Sequence, residues 1–370
     1  MSGSNLLASP TPSPPGLRSI TFGDGKFVIV GDGGLILTSS GGANWATASC
    51  VTDEILTDVV WGRDSFVAVG GNGTILSSSD GLAWTKRFFQ TNEVLNSVCY
   101  GDGLFLAAGR QSMLVSSNGI QWAELPEDPS PSEDVVAFGN DRFLSMGANT
   151  YFPGHMTSDS RRAWMSSNGR NWNQSPHPAP QQLRDTPEGM PGGILNLVFY
   201  EGQFWGLSTE GIFVSIDGRN WIATPDDPPG FRYCYYDMTF GTGRFVAARN
   251  PRAESTQFSG PVLNGSSLAV SKDGLTWTPG RAPFSKIVWG NFISDRKIML
   301  SSGWGGSSIF LSSKDGKEWI IDGKNAFGGN VQGNQLVYAN RKPGTELPVL
   351  NSTDGIIWKR FSASRKNQPQ

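Results

Sequence analysis

The sequence predicts an all-β protein, a single β-propeller of eight four-stranded antiparallel blades, with seven blades as the alternative. The first observation is a heptapeptide, Ser-x-Asp/Asn/Gly-Gly-x-x-Trp, that recurs eight times: Ser39–Trp45, Ser78–Trp84, Ser116–Trp122, Ser166–Trp172, Ser215–Trp221, Ser271–Trp277, Ser313–Trp319 and Ser352–Trp358. The second is its spacing. Successive tryptophans stand 39, 38, 50, 49, 56, 42 and 39 residues apart, a period in the range of propeller blades. The third is composition: 47 Gly and 23 Pro in 370 residues imply many short strands and turns.

Each unit reads as four strands. In the second, Asp58–Trp61 is an apolar run ended by Gly62-Arg63-Asp64 and forms strand A. Phe66–Val69 is strand B, Thr74–Ser78 strand C and Ala83–Arg87 strand D. Short β-rich runs between Gly, Asn and Asp turns are the pattern of an antiparallel meander. A lone four-stranded sheet leaves a face uncovered, whereas stacking in a ring buries both, with strand A innermost. The heptapeptide falls on the C–D turn. There Asp80, Asn118 and Asp217 would accept hydrogen bonds from turn N–H groups, the following Gly permits positive φ, and the Trp wedges between neighbours. The expected divisions are a Pro-rich linker over residues 1–17, the propeller over 18–362 and a loose tail over 363–370.

The heptapeptide resembles the Asp-box, the bacterial neuraminidase repeat of sialidase-like propellers. The longer phrase Gly62–Thr85 is similar to repeats of bacterial secreted and surface propellers. The resemblance covers about Ser19 to Phe361 and implies the fold, secretion or surface display, and a site on the face opposite the repeats. This version is one residue shorter than the usual box. No Phe/Tyr-Arg-Ile-Pro segment occurs, so sialidase activity is not implied.

Composition excludes several functions. Thirty basic and 32 acidic side chains give a net charge of −2, without the basic block that nucleic-acid binding requires. No run of about 18 apolar residues is present to cross a membrane. Two His and three Cys without CxxC spacing predict no metal site. No P-loop or strand-linked GxGxxG suggests a nucleotide or flavin, so no cofactor is expected. Met1–Gly16 holds no intact signal peptide. Its MSGS start reads as appended residues and its SPTPSPP as a stiff linker. The expected location is secreted, periplasmic or surface-exposed, with cytoplasmic as the alternative, and the expected state is a monomer. Cys99, in a strand-A run, is expected to be a buried apolar side chain.

Loop lengths predict where a site lies. The A–B and C–D turns stay short, and the extra residues fall in 149–162, 174–193, 224–235 and 250–267. All four belong to B–C or D–A connections, which share one face, and they cluster over blades 4–6. Long connections on a rigid scaffold concentrate binding residues. They carry both histidines, His155 and His177, with Arg232, Glu254, Tyr233 and Tyr235. Aligning the repeats puts Arg18, Asp58, Asn96, Asp134, Asn196, Asp237, Lys286 and Asn330 at or next to the channel mouth where strands A start. Arg110, Arg249 and Arg341 fall at the ends of strands B. Trp205 stands where other units have Val28 and Val67, and is expected to offer a stacking surface in the funnel, with packing as the alternative. Such a ring suits a sugar or uronate: carboxylates take Arg forks, hydroxyls take Asp and Asn, and aromatic faces take pyranose C–H groups.

Two functions follow as expectations. The first is a recognition propeller that binds a glycan, polysaccharide or protein partner through the D–A/B–C face of blades 4–6. The second is a carbohydrate-active enzyme. As a glycoside hydrolase it would pair two carboxylates among Asp58, Asp134, Asp237 and Glu254. As a polysaccharide lyase it would use His155 or Tyr233 as base or acid, and an Arg to neutralise the uronate. A third expectation, an assembly factor, rests on the resemblance alone.

Overall fold

The computed structural model describes residues 17–40, 46–49, 51–87, 92–109, 112–126, 135–147, 163–176, 194–208, 211–224, 233–241, 244–251, 268–279, 298–302, 309–313, 320–321, 329–332, 335–338, 349–351 and 359–361. Among these residues there is no α-helix, and two single 3-10 turns, Asp32–Gly34 and Gly71–Gly73, join strands B and C of the first two blades.

Strands A run Leu17–Gly23, Leu56–Gly62, Leu95–Gly101, Val135–Gly139, Ile194–Tyr200 and Tyr233–Gly241. Each pairs antiparallel with its strand B, B with C, and C with a short strand D, giving a four-stranded meander six times in succession. Strand A of each blade packs on strand A of the next.

The core is a set of seams between blades. Val28, Val30 and Ile36 of blade 1 pack with Val59, Phe66, Leu76 and Trp84 of blade 2. The seams from blade 2 to blade 6 repeat the arrangement. Within each blade the aromatic near the end of strand A packs at a steep tilt against the first Phe of strand B. Ring centroids are 4.7 Å apart for Phe22–Phe27, 4.4 Å for Trp61–Phe66, 4.6 Å for Tyr100–Phe105, 4.6 Å for Phe138–Phe143, 4.9 Å for Phe199–Phe204 and 4.8 Å for Phe240–Phe245. From blade 2 to blade 5 the same aromatic lies over the glycine that ends the preceding strand A, Gly23, Gly62, Gly101 or Gly139, whereas Phe240 of blade 6 faces Tyr200. A Cβ on Gly62 would stand 2.1 Å from Tyr100 Cγ, far inside contact distance.

The heptapeptides of blades 2–6 are turn locks. In blade 2, Ser78 Oγ accepts from Gly81 N at 2.8 Å, and Asp80 Oδ1 accepts from Leu82 N and Ala83 N at 2.8 and 2.9 Å. Asn118 and Asn168 accept the equivalent pairs in blades 3 and 4, as Asp217 and Asp273 do in blades 5 and 6. Trp84, Trp221 and Trp277 donate Nε1–H to the carbonyl of the turn Gly. These bonds hold the Asp80, Asp217 and Asp273 carboxyls below their ordinary range.

The repeat count predicts eight equivalent blades, and the structure corrects it: among the described residues, six blades of four antiparallel strands make the propeller. Two further sheets follow in the chain. One has three described strands, Ile298–Ser302, Ile309–Ser313 and Ile320–Ile321; the other has four, from Gly329–Gln332 to Lys359–Phe361. A heptapeptide reports a local C–D turn and not whether four strands form a blade that packs on its neighbours. In the last sheet Gln332 pairs with Gln335 as Gly62 pairs with Ser65.

Candidate functional site

The start of strand A carries an extra residue in five of the six blades, blade 4 being the exception. Pairing shifts register between Leu17 and Ser19, Leu56 and Asp58, Leu95 and Ser97, Ile194 and Asn196, and Tyr235 and Asp237. Such a bulge re-aims the residue that follows it. Counting back from the A–B turns, the equivalent positions are Ser19, Asp58, Ser97, Val135, Asn196 and Asp237. Asp58, Asn196 and Asp237 thus share one level, as the repeat alignment has it. Arg18 and Asn96 are instead bulge residues one place earlier, and Asp134 immediately precedes its strand.

Asp58 is the centre of this level. Its Oδ1 accepts from Ser19 Oγ of blade 1 at 2.7 Å and from its own neighbour Val59 N at 2.8 Å. Its Oδ2 accepts from Val98 N of blade 3 at 2.8 Å. Ser97 of blade 3 also bonds the carboxylate, and its Oγ accepts from Val136 N of blade 4 at 3.4 Å. One carboxylate therefore ties three blades, and Ser97 continues the tie to a fourth. Burial pushes the Asp58 carboxyl above its ordinary value, while the bonds from Ser19, Val98, Val59 and Ser97 pull it back. A group so engaged would have to break structural bonds to act as base or nucleophile.

Arg18 turns outward and donates Nε–H to Asp32 Oδ1 at 2.8 Å on the 3-10 turn of its own blade. This exposed pair contributes little to stability. Asn96 and Asn196 are half-buried at their strand starts. Trp205 does not face the funnel. It is 1% exposed, packs with Met238, Phe245 and Trp277 in the seam to blade 6, and donates Nε1–H to Tyr200 O at 3.4 Å. The expected stacking surface is thus corrected, because its counterparts Val28 and Val67 are buried seam residues too. Cys99 is a buried free thiol, and burial raises its pKa further from reactivity.

The remaining candidates are placed by backbone alone or lie outside the described residues. Tyr233 and Asp237 are on strand A of blade 6 and Arg249 on its strand B. His155, His177, Asp134, Arg232, Glu254, Arg110, Lys286 and Arg341 lie outside, as does most of the four long connections.

Sequence reasoning missed the residues that pin the D–A connections of blades 2 and 3. Glu54 Oε1 accepts from Asn72 Nδ2 at 2.7 Å, and Glu93 Oε2 accepts from Ser112 Oγ at 3.0 Å. The backbone is tied as well: Gly34 N donates to Glu54 O at 2.7 Å, Gly71 N to Ile55 O at 2.8 Å and Gly73 N to Glu93 O at 2.6 Å. The signal was available in the recurrence of Glu-Ile-Leu at 54–56 and Glu-Val-Leu at 93–95 directly before strand A.

The fold and this channel mouth define a β-propeller. No protein-family model matches the chain, and no curated protein matches it in sequence. Among solved structures it is similar to YCF48 bound to D1 peptide, at 18% identity over 85% of this chain and 94% of that one, with a TM-score of 0.50. It is similar to the WD40 β-propeller domain of Doa1 at 14% identity, over 81% and 94% of the two chains, with a TM-score of 0.52. It is also similar to the computationally designed Ika8 protein at 9% identity, over 94% and 97%, with a TM-score of 0.51. At these identities the likeness is one of fold.

Proposed function

We propose that this chain is a noncatalytic recognition propeller that binds a protein partner, as an extended peptide segment, on the D–A/B–C face. The observation that carries the reading is the engagement of Asp58. The best-placed carboxylate at the channel mouth spends both oxygens on donors from three blades, so that level works as a clamp and leaves the face above it rigid. The connections over blades 4–6 would form the variable wall of the binding face. The likeness to a propeller bound to a peptide supports a peptide over a glycan. The heptapeptide is read as a shortened Asp-box on the opposite face, and the protein as secreted or surface-displayed.

The test is a binding screen of the full chain against arrayed peptides and a panel of neutral and acidic polysaccharides. Released reducing ends and unsaturated uronates are followed in parallel. Saturable peptide binding without product supports the reading. Product from any polymer replaces it with an enzyme, and retention on a polysaccharide alone replaces the peptide with a glycan.

A further inference from the structure

The C–D turns of blades 2–6 do not hold their glycines equally. In blades 2, 5 and 6 the glycine is held at both ends. Its N–H donates to the serine Oγ, at 2.8 Å for Gly81, Gly218 and Gly274, and its carbonyl accepts from Trp84, Trp221 or Trp277. In blade 3 the first bond remains, Gly119 N to Ser116 Oγ at 2.9 Å, while Trp122 Nε1 is buried without a partner. Blade 4 has neither. Ser166 Oγ accepts from Asn168 N at 3.2 Å but not from Gly169 N, which has no hydrogen-bond partner among the described residues. Trp172 Nε1 is buried and unpaired as well.

The missing bond falls on a reactive pair. An Asn followed by Gly can close a five-membered imide, because the Gly N meets the side-chain carbonyl with no Cβ in the way. Asn168 is exposed. Its Oδ1 accepts from Arg170 N at 3.0 Å and Asn171 N at 2.8 Å, donors that face the oxygen on which charge develops when Cγ is attacked. Asn118 Oδ1 has the same pair of donors, Ile120 N and Gln121 N, each at 2.9 Å. The two sites therefore differ at the nucleophile: Gly119 N is held and Gly169 N is not.

We infer that Asn168–Gly169 is a site of spontaneous deamidation in the folded protein, and that the serine bond shields Asn118–Gly119. Gly169 N bonds to Asn168 Cγ while its proton passes through water to the departing amide. The Cγ–Nδ2 bond breaks, ammonia leaves and a succinimide remains. Water then opens the imide at one carbonyl or the other, leaving aspartate or isoaspartate in place of Asn168. The products act oppositely on the turn. Aspartate restores it, since Asp80, Asp217 and Asp273 lock theirs with the same oxygen. Isoaspartate routes the main chain through Cγ, removes that acceptor and opens the turn.

The test incubates the full chain, folded and in denaturant, in mildly alkaline buffer. Asn72, Asn118 and Asn168 are followed by peptide mapping that resolves isoaspartate. In the folded chain Asn168 should react about tenfold faster than Asn118, the ratio for about 1.4 kcal/mol of barrier, one hydrogen bond's worth. Asn72 should stay slow, because Gly73 N is held by Glu93 O at 2.6 Å. In denaturant the three rates should converge, since each Asn then precedes an unrestrained Gly. Ser116→Ala, which frees Gly119 N, should raise the rate at Asn118 toward that at Asn168. Equal folded rates at Asn118 and Asn168, or an Asn168 that reacts only in denaturant, overturns the inference. Should Ser116→Ala not fold, the order of rates in the parent decides alone.

Discussion

The indole of Trp205 fills the space over Gly274 across the seam between blades 5 and 6, where a Cβ on Gly274 would stand 2.2 Å from Trp205 Cη2. Gly274 also has a φ of +71°, so the turn needs glycine twice over, for its backbone and for the aromatic above it. Trp205→Ala should cost about 3–5 kcal/mol, the range for truncating a buried aromatic, read as a shift in denaturant midpoint. A loss below about 1 kcal/mol would mean that the seam collapses around the gap. Peptide binding per folded molecule should not change, because the side chain has no exposed face.

Asp58→Asn tests the clamp. Val98 N–H faces Oδ2 while Ser19 Oγ–H and Val59 N–H face Oδ1, so the amide must turn an N–H₂ toward a donor. The expected loss is about 1–3 kcal/mol, that of an unsatisfied buried polar group. The pH dependence has a definite sign. The folded-state value is raised, so the ionisable form's contribution is full below the unfolded value and is lost as pH rises through the folded one. The advantage of the parent over the variant should therefore be largest in acid and shrink toward neutrality. An advantage that grows with pH would contradict the assignment.

The heptapeptide makes the opposite prediction. The Asp80 carboxyl is lowered by the bonds from Ala83 and Leu82, so its contribution is present above the unfolded value and is lost as pH falls through the folded one. Asp80→Ala should cost about 0.5–2 kcal/mol, as losing a backbone cap does. Asp80→Asn should be nearly neutral at pH 7, because Asn118 and Asn168 perform the same task in the next two blades. It should also remove the acid-side loss. Thermal melts of the three proteins across acid pH check this, and neither change should touch binding.

Gly62→Ala probes the aromatic seating of strand A. The added methyl meets Tyr100 Cγ at 2.1 Å, and relief requires the ring packed against Phe105 to move. Overpacking of this kind costs about 1–3 kcal/mol. The double change Gly62→Ala with Tyr100→Ala should restore part of the loss, and a strictly additive pair would show that the two do not share the seam.

The sequence made the turns legible and the seams much less so. A heptapeptide is local, so Ser78, Asp80, Gly81 and Trp84 could be placed on a C–D turn by inspection, and strands A–D of blade 2 fall within a few residues of their expected bounds. Whether eight turns mean eight packed blades is a question about contacts between units, which no single repeat encodes, and six packed blades are found among the described residues. The same blindness explains Trp205. Its size against Val28 and Val67 makes sense only once Gly274 is seen across the seam. Arg18 and Asn96 stand one place before the level of Asp58, because a bulge adds a residue that aligned sequences do not mark. The partners of Asp58, Ser19 and Val98, stand 39 and 40 residues away, so its task as a clamp could not be read from the chain.

The most direct test of recognition against catalysis is to incubate the parent protein and Asp58→Asn with the polysaccharide panel and the arrayed peptides under one set of conditions. Binding and product are measured on the same samples. The expected result is saturable peptide binding, no product from any polymer, and an Asp58→Asn protein that binds like the parent wherever it is folded. Turnover of a polysaccharide by the parent, abolished in Asp58→Asn at an unchanged melting temperature, would contradict it and make Asp58 a catalytic residue.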